Sequence, residues 1–331
     1  MLPETYTALL VDQREGATVA EIRTLTPADL PPGDVIVRVA YSSLNYKDGL
    51  AVTGTGKIIR SFPLVPGIDL AGTVIESGSP AYKPGDAVIL TGWGIGERYW
   101  GGYTQLTRVK SEWLVPLPNG LSQLHSMAIG TAGLTAMLCV MALEEAGIVL
   151  NNREVLVTGA AGGVGSVAVA LLAKAGFSVV AATGRPETHD YLRMLGAARV
   201  VDRAEIAAPG RALEGETWAA AIDTVGGDTL AGIIRALAYN GAVAACGNAG
   251  GVQLNTTVFP FILRGTKLLG VESVLCPFNR RQVAWARLAQ DLTPELLDSL
   301  VQVVSLANVP EVSRQIVAGQ IRGRVVVDVN T

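Results

Sequence analysis

The sequence predicts a two-domain α/β protein, with one domain rich in β-strands and the other built on a doubly wound parallel sheet. Its 331 residues exceed the usual size of one domain. Hydrophobic residues make up 49% of the chain and aromatic residues only 5%, and there are 38 glycines, a composition that suits tightly packed strands and helices. The hydrophobic rhythm changes near residue 121, which indicates that the two domains differ in architecture.

The segment before about residue 118 has the pattern of a β-rich domain. Apolar and polar residues alternate in short runs such as DVIVRVAYS, LAGTVIES and DAVIL. Pro-Gly-Asp turns at 32–34 and 84–86 separate these runs and reverse the chain. The pattern predicts a curled antiparallel sheet or a partial barrel.

From about residue 121, strands alternate with longer helical runs. The strands EVLVT, FSVVAAT, WAAAIDTV and AVAACG are separated by helical runs such as SVAVALLAKAG and DTLAGIIRALAYNG. Strands of this kind, apolar on both faces, are typical of a parallel, doubly wound sheet. The uncharged run 126–143 has the length of a membrane span, but Glu144 and Glu145 follow it and no basic anchors flank it, so we expect a buried helix.

The end of the chain is expected to return to the first domain. We predict an amphipathic helix near 280–303 and then a single strand in QIRGRVVVDV. The predicted domains are therefore 1–124 with 298–331, which is β-rich, and 125–297, which contains the parallel sheet.

Charge and cysteine content limit the partners and the compartment. The formal net charge of −3 gives no basic footprint for nucleic acid or an anionic membrane surface, so we expect small-molecule partners. Cys139, Cys246 and Cys276 are far apart in the sequence, so neither a disulfide framework nor a structural zinc cluster is expected. No signal-peptide pattern opens the chain, and a reducing cytoplasm is the expected location.

The strongest motif is EVLVTGAAGGVGSVAVALLAKAG, in which an apolar strand ends in a glycine turn that opens a helix. Gly162 and Gly163 allow the backbone to approach a pyrophosphate, and the first amides of a helix starting near Val164 then face that anion. Gly165 allows the helix to pack closely on the strand. Although Ala160 replaces the first glycine of the common GxGxxG pattern, the strand-turn-helix context predicts a dinucleotide cofactor.

The end of the next strand favours NADPH over NADH. An acidic residue there would hold the ribose 2′-hydroxyl of NAD, but this chain has Thr183, Gly184 and Arg185. A guanidinium group can bind a 2′-phosphate through two hydrogen bonds, and Thr183 and the Gly184 amide can add donors. Arg203, just after the strand RVVD, is a candidate for the second wall of this pocket, and a solvated surface arginine is the alternative.

Two later strand ends, at 244–251 and 268–274, are expected to reach the nicotinamide, because ligands lie outside the carboxyl ends of parallel strands. Gly247, Gly250 and Val274 are the predicted contacts.

The turn SSLNYKD at 42–48 contains many polar groups. Asn45 or Asp48 can cap a helix, and Asp48 is favoured for that role. The functional interpretation is that Asn45 and Tyr46 project into the active-site cleft, with Tyr46 as a hydrogen-bond donor near the nicotinamide ribose or the substrate. Arg324, in the returning strand, is a candidate for binding cofactor phosphate or substrate, with a simple surface charge as the alternative.

Taken together, the chain resembles the medium-chain dehydrogenase/reductase superfamily along essentially its whole length, with a GroES-like domain, a Rossmann domain and a return strand. The motifs SSLNYKDGLAVTGTGKIIR, PGIDLAGTV, LTGWGIGE, GTAGLTAMLCVMALE and PFILRGTKLLGVES are similar to the zinc-free acrylyl-CoA reductase branch (AcuI/YhdH-type) of its quinone oxidoreductase-like members. In zinc-dependent members the segment similar to PGIDLAG reads PGHExxG, and its His binds zinc. Here Ile68 stands in place of that His, and Asp69 stands in place of the Glu. We therefore expect no bound metal, and a structural role for Asp69.

The resemblance implies NADPH-dependent reduction of acryloyl-CoA to propanoyl-CoA by hydride transfer to the β-carbon, and also a homodimer. The developing enolate needs only hydrogen-bond donors, for which Tyr46 is the candidate, with solvent as the competing proton source. One alternative is an NADPH-dependent quinone or enone reductase with the same cofactor residues. The other is a cofactor-binding protein without catalysis, like the crystallin-type relatives of this superfamily.

Overall fold

The computed structural model describes residues 2–150 and 153–331, which form two compact units. The first unit contains the described residues up to 131, together with 274–289 and 293–331. The second contains 132–273 and 290–292. This division places 125–131 and most of 274–297 in the first unit, whereas the sequence rhythm placed them in the second domain.

The regular elements follow the predicted order of a β-rich segment and then alternating strands and helices. The strands are β1 Tyr6–Arg14, β2 Ala17–Leu25, β3 Val35–Leu44, β4 Asp69–Ser77, β5 Ala87–Thr91, β6 Leu106–Val109, β7 Val115–Pro116, β8 Glu154–Val157, β9 Val179–Thr183, β10 Arg199–Asp202, β11 Trp218–Asp223, β12 Leu237–Ala245, β13 Lys267–Gly270, β14 Val301–Ser305 and β15 Arg324–Asp328. The α-helices are α1 Tyr46–Thr53, α2 Gln123–Glu145, α3 Gly163–Lys174, α4 His189–Met194, α5 Arg203–Ala207, α6 Gly227–Ala236, α7 Phe259–Arg264, α8 Phe278–Asp291, α9 Pro294–Leu300 and α10 Val309–Val317.

The first unit is a mainly antiparallel β structure. Strands β1 and β2 form a hairpin, and a larger sheet has the order β14-β15-β3-β4-β5-β7, with β6 also paired to β3. Alternate side chains of these strands are fully buried in one apolar core, including Leu9, Val37, Leu70 and Leu90. The predicted antiparallel sheet and the return of the last strand to it are confirmed.

The pairing of β3 determines which residues meet at its end. Leu44 of β3 lies opposite Val325 of β15, and Tyr41 lies opposite Ala71 of β4. The first residues of β15 and β4, Arg324 and Asp69, are therefore brought to the carboxyl end of β3.

The second unit has a six-stranded sheet ordered β10-β9-β8-β11-β12-β13, in which every pair is parallel. The predicted doubly wound sheet is confirmed. The strand order changes direction between β8 and β11, and the carboxyl ends at such a point form the usual ligand crevice of an open α/β sheet.

The apolar run at 126–143 lies in α2, which is broken at Gly130 (φ 51°, ψ −159°). In the described part of the chain, α2 alone has the length and composition of a membrane-spanning helix. The structure buries 89% of its most apolar 18-residue window, in agreement with the buried helix predicted from the sequence.

Two predicted helices were placed wrongly at their ends. The segment predicted as one helix at 280–303 contains α8, α9 and the start of strand β14. The chain breaks between the two helices because Pro294 starts a new one. Thr293 is the N-cap of α9, and its Oγ1 accepts from the Leu296 amide at 3.3 Å. Strand β14 pairs with β15, so the returning strand is not a single one. The helix predicted in DTLAGIIRALAYNG ends at Ala236, and Leu237 already pairs with Trp218.

Candidate active site and cofactor site

A cluster of buried polar side chains lies in the first unit where β3, β4 and β15 meet. We call it the Asp69 cluster, and its members are Ser43, Asn45, Asp48, Asp69, Thr131 and Arg324. Burial of this many polar groups is costly unless each has a partner. Their contacts therefore explain why these residues fold together.

The Asp69 carboxylate is surrounded by hydrogen-bond donors. Its Oδ2 accepts from Ser43 Oγ at 2.5 Å, Asn45 Nδ2 at 2.9 Å and the Thr131 amide at 3.0 Å. Its Oδ1 accepts from Thr131 Oγ1 at 2.5 Å. This satisfied and fully buried carboxylate holds β4 against β3 and α2, which agrees with the expected structural role.

The break in α2 at Gly130 makes room for this cluster. A Cβ at Gly130 would lie 2.7 Å from Asp69 Oδ2 and 2.8 Å from Arg324 Nη2, and the backbone has a positive φ. Only glycine meets both conditions without strain. The break also turns the Thr131 amide toward Asp69.

Arg324 is buried in the cluster, so the alternative of a simple surface charge is wrong. Its Nε donates to the carbonyl oxygen of Ala128 at 2.9 Å and its Nη2 to that of Met127 at 3.5 Å. Its Nη1 donates to Asn45 Oδ1 at 3.1 Å. The guanidinium group thus braces α2 against the start of α1, and its role toward a cofactor stays a prediction.

The start of α1 is capped by residues of the cluster. Asn45 is the N-cap, so the choice of Asp48 as the cap was wrong and the alternative, Asn45, is correct. Asp48 is the third residue of the helix and completes a capping box, in which its Oδ2 accepts from the Asn45 amide at 2.9 Å. Asp48 Oδ1 accepts from the Ile68 amide at 2.9 Å. The Asn45 side chain is buried among cluster members rather than projecting into open space, and its catalytic role is not tested by these contacts.

Asp48 and Asp69 are two buried carboxyl groups in one cluster, and this proximity affects the pKa of Asp48. Burial, with a further contribution from the charge of Asp69, raises the pKa of Asp48 to about 7. Hydrogen bonds from Asn45 and Ile68 act in the opposite direction but are weaker. Asp48 is therefore expected to change its protonation state near neutral pH.

Tyr46 follows the N-cap as the first residue of α1 and is 43% exposed. Its hydroxyl is available to an external partner because the ring lies outside the buried cluster. Asn45 and Asp48 fix the first turn on which it stands. Of Asn45, Tyr46 and Asp48, only Tyr46 is exposed, and its contact with a ligand stays a prediction.

The cluster does not fit a zinc ion. Zinc sites in proteins are built mainly from Cys and His, whereas this position has the apolar Ile68 and the carboxylate of Asp69, whose oxygens accept from protein donors. Within residues 2–150 and 153–331, no group of three or more His, Cys, Asp or Glu side chains has the arrangement of a metal site.

In the second unit, the glycine turn has the geometry that a pyrophosphate requires. Helix α3 has Gly162 as its N-cap, and the Ser166 amide is the donor to the Gly162 carbonyl at 2.9 Å, so the amides of Gly163 and Val164 precede the first helical bond. A Cβ at Gly165 would lie 2.3 Å from the Gly159 carbonyl oxygen, so the close packing there requires glycine. These features fit a dinucleotide at the helix N-terminus.

Two arginines flank the end of β9. Thr183 is the last residue of the strand, and its Oγ1 accepts from the Arg185 amide at 3.2 Å. The Arg185 Nη2 donates to the Ala161 carbonyl at 3.5 Å, next to the glycine turn. A Cβ at Gly184 would lie 2.6 Å from Nε of Arg203, so the exposed Arg203 side chain crosses the same strand end. This donor set fits a phosphate on the adenosine ribose.

The other predicted cofactor contacts lie after β12 and β13. A Cβ at Gly247 would lie 2.2 Å from the Thr224 carbonyl oxygen, and one at Gly250 would lie 2.7 Å from Val225 Cγ1. These glycines are required by the close approach of two loops. Val274 lies four residues beyond β13 and belongs to the first unit, where its carbonyl accepts from the Trp93 amide at 2.9 Å.

One residue at the change in strand order, Asp223, was missed by the sequence analysis. The Thr158 hydroxyl donates to its carboxylate at 2.6 Å and the Gly226 amide at 2.8 Å. Burial raises the pKa of Asp223. It joins the ends of β8 and β11 and shapes the loop beside the glycine turn. A single acid at the end of the apolar run WAAAID was the available signal.

Comparisons with known families match both parts of the chain. Residues 31–119 match the alcohol dehydrogenase GroES-like domain, and residues 163–290 match the zinc-binding dehydrogenase family. The chain is 52% identical to the acrylyl-CoA reductase AcuI of Ruegeria pomeroyi over 328 residues, which covers 98% of this chain and 99% of that protein.

Solved structures of two relatives have nearly the same fold. Escherichia coli YhdH with bound NADPH is 54% identical, with a TM-score of 0.95 over 98% of this chain and 100% of that one. Bacillus subtilis YhfP with bound NAD is 43% identical, also with a TM-score of 0.95, over 98% of this chain and 100% of that one. YhfP carries a provisional quinone oxidoreductase name.

Proposed function

Because this chain belongs to the acrylyl-CoA reductases of the medium-chain dehydrogenase/reductase superfamily, we propose that it reduces acryloyl-CoA to propanoyl-CoA with NADPH. The observation that carries the proposal is 52% identity to an acrylyl-CoA reductase along nearly the whole of both chains. When bound, NADPH supplies a hydride for the β-carbon and becomes NADP⁺, while the C=C π bond breaks and a proton joins the α-carbon.

The cofactor is assigned to the second unit. We propose that Gly162, Gly163, Val164 and Gly165 hold the pyrophosphate at the start of α3. We further propose that Thr183, Gly184, Arg185 and Arg203 hold the ribose 2′-phosphate. The stretch Thr183-Gly184-Arg185 supports NADPH over NADH, since β9 ends here in a threonine and is followed by an arginine rather than an acid. Gly247, Gly250, Val274 and Arg324 remain proposed contacts of the cofactor.

The chemistry is assigned to the first turn of α1. We propose that the exposed hydroxyl of Tyr46 donates a hydrogen bond to the thioester oxygen, which becomes negative as the enolate forms. Asn45 positions this turn, because its amide bonds with Asp69 and Arg324 leave Tyr46 at the helix start. A preorganised donor of this kind lowers the free energy of the transition state more than that of the ground state.

A quinone reductase is the second candidate function. The provisional name of YhfP, at 43% identity, supports it. A quinone reductase would bind NADPH through the same residues of the second unit. It would differ only in the acceptor that Tyr46 contacts.

We also propose that the protein is a cytoplasmic homodimer. Strand β13 is at the edge of the parallel sheet, and Ile262, Leu263 and Leu268 on α7 and β13 are exposed. An exposed apolar surface at a sheet edge is typical of an interface with a second copy. The free thiols Cys139, Cys246 and Cys276 suit a reducing compartment. Light scattering of the wild-type protein should give twice the mass of one chain. The double variant Ile262→Glu/Leu263→Glu, which places charges in the proposed interface, should give the mass of one chain.

The proposed reaction is tested by following the transferred atoms. Purified protein is incubated with acryloyl-CoA and NADPH that carries deuterium at the transferable position of the nicotinamide. Mass spectrometry and NMR should find one deuterium at C3 of propanoyl-CoA. If no propanoyl-CoA forms while the same protein reduces a quinone with NADPH, the acyl-CoA proposal is wrong and the quinone reductase takes its place.

A further inference from the structure

A second charged cluster lies on the surface of the first unit around Glu97. Lys47 Nζ lies 2.9 Å from Glu97 Oε2, while Arg98 Nε and Arg60 Nε lie 3.6 and 3.7 Å from Oε1. We call Lys47, Arg60, Glu97 and Arg98 the Glu97 cluster. Three cations around a single carboxylate leave two positive charges in excess, in a chain whose net charge is negative.

Main-chain hydrogen bonds position two of the three segments of the Glu97 cluster, and a side-chain bond joins the third. Lys47 is the second residue of α1, directly after Tyr46. The Arg60 amide donates to the Glu97 carbonyl at 3.0 Å, and the Arg98 amide donates to the Gly94 carbonyl at 2.9 Å. Main-chain bonds therefore keep the Arg60 and Arg98 backbones beside Glu97, and the Lys47 side chain reaches the same carboxylate from α1.

The excess charge is not needed to neutralise Glu97. The Lys47 hydrogen bond already does so, and the side chain of Glu97 is only 14% exposed. The guanidinium groups of Arg60 and Arg98 stand beyond hydrogen-bond distance of the carboxylate and are 61% and 65% exposed. The positive charges of Arg60 and Arg98 repel each other in this exposed position. An anion bound between them would relieve this repulsion and accept hydrogen bonds from the guanidinium N–H groups.

A contrasting cluster in the same unit shows what a saturated arrangement looks like. Arg14 binds both carboxylate oxygens of Glu21, at 2.7 and 2.8 Å, and Arg23 lies 3.0 Å from one of them. There both guanidinium groups are hydrogen-bonded to the carboxylate. The pair Arg14 and Arg23 therefore provides a matched control for Arg60 and Arg98.

We propose that the Glu97 cluster binds the phosphate groups of the CoA part of the substrate. The inference rests on the proposed function. Guanidinium groups recognise phosphate oxygens through paired hydrogen bonds, and Lys47 links the cluster to the turn that carries Tyr46. The ribose 2′-phosphate of the cofactor is already assigned, under the proposed function, to Arg185 and Arg203 at the end of β9 in the second unit, so CoA is the phosphate source left for the first unit.

The test compares wild type with Arg60→Gln/Arg98→Gln, and uses Arg14→Gln/Arg23→Gln as the control. Binding of CoA itself, which needs no turnover, is measured by calorimetry. We expect the dissociation constant of CoA to rise about 10- to 100-fold in the cluster variant and to stay unchanged in the control. An unchanged dissociation constant in the cluster variant would overturn the inference.

Kinetics with two thioesters separate this inference from the proposed function. The KM for acryloyl-CoA should rise in the cluster variant, whereas the KM for acryloyl-N-acetylcysteamine, which lacks phosphates, and the KM for NADPH should not. An equal rise for both thioesters, or a rise confined to NADPH, would contradict binding of the CoA phosphates. If the wild-type protein binds CoA through the cluster but reduces neither thioester, the proposed reductase function is wrong and the inference about CoA binding still holds.

Discussion

Nη1 of Arg324 donates a 3.1 Å hydrogen bond to Oδ1 of Asn45, a residue 279 positions earlier in the chain. This bond joins the last strand of the first unit to the N-cap of the helix that begins with Tyr46. A buried arginine, two buried carboxylates and a helix break thus support this turn together.

Arg324→Met should destabilise the protein. The substitution keeps much of the side-chain volume but leaves Asn45 Oδ1 and the carbonyl oxygens of Met127 and Ala128 without their buried donor. We expect the free energy of unfolding, measured in urea, to fall by about 3–5 kcal/mol. Arg324→Lys should lose less, since it keeps the charge but not the fork. Unchanged stability together with weaker NADPH binding would instead place Arg324 at a cofactor phosphate.

The buried Asp48 should make stability depend on pH. Its folded pKa of about 7 lies above the ordinary value of 3.8, so the folded state binds more protons between these values. Stability from this group is full below about pH 4 and is lost as the pH rises to 7, by roughly 2–4 kcal/mol. Asp48→Asn, which cannot ionise, should remove this downward slope in unfolding free energy measured from pH 4 to pH 8. An identical slope in the variant would show that other groups cause it.

Tyr46→Phe should slow the chemical step. If the hydroxyl stabilises the developing enolate, kcat for acryloyl-CoA should fall about 100-fold while KM changes little. Because the side chain is 43% exposed, stability should change by less than about 0.5 kcal/mol. Tyr99→Phe, at a tyrosine of similar exposure in the same unit, is the control. A normal kcat in Tyr46→Phe would assign the proton and the hydrogen bond to solvent.

Arg185→Gln should change the cofactor preference. Loss of a charge-assisted bond to the 2′-phosphate should lower kcat/KM for NADPH by about 10- to 100-fold and leave kcat/KM for NADH nearly unchanged. Arg203→Gln should act in the same direction but more weakly, because its side chain is exposed. An equal loss with both cofactors would indicate that Arg185 supports the glycine turn through Ala161 rather than the phosphate.

The local features of this fold were predictable from the sequence. The glycine turn before α3, the positions of Thr183 and Arg203 at strand ends, and the start of α1 in the polar turn each depend on residues within a few positions of one another. The same holds for the alternating strands of the first unit. Local hydrogen bonding and hydrophobic period are sufficient signals for such elements.

The Asp69 cluster was not predictable because its contacts are distant in the chain. Ser43 and Asp69 are 26 positions apart, and Thr131 and Asp69 are 62 apart. Gly130 looked like one small residue in an apolar helix, and its positive φ has meaning only with Asp69 and Arg324 beside it. The division of 280–303 was missed for a local reason, since the Thr293-Pro294 start signal was overlooked within an amphipathic run.

The most direct test of the proposed activity is a comparison of kcat/KM for acryloyl-CoA and for a soluble quinone, with NADPH as the reductant of both. An acrylyl-CoA reductase should show a kcat/KM for acryloyl-CoA at least about 100-fold higher than for the quinone. A kcat/KM that is higher for the quinone would contradict the assignment and make the chain a quinone reductase.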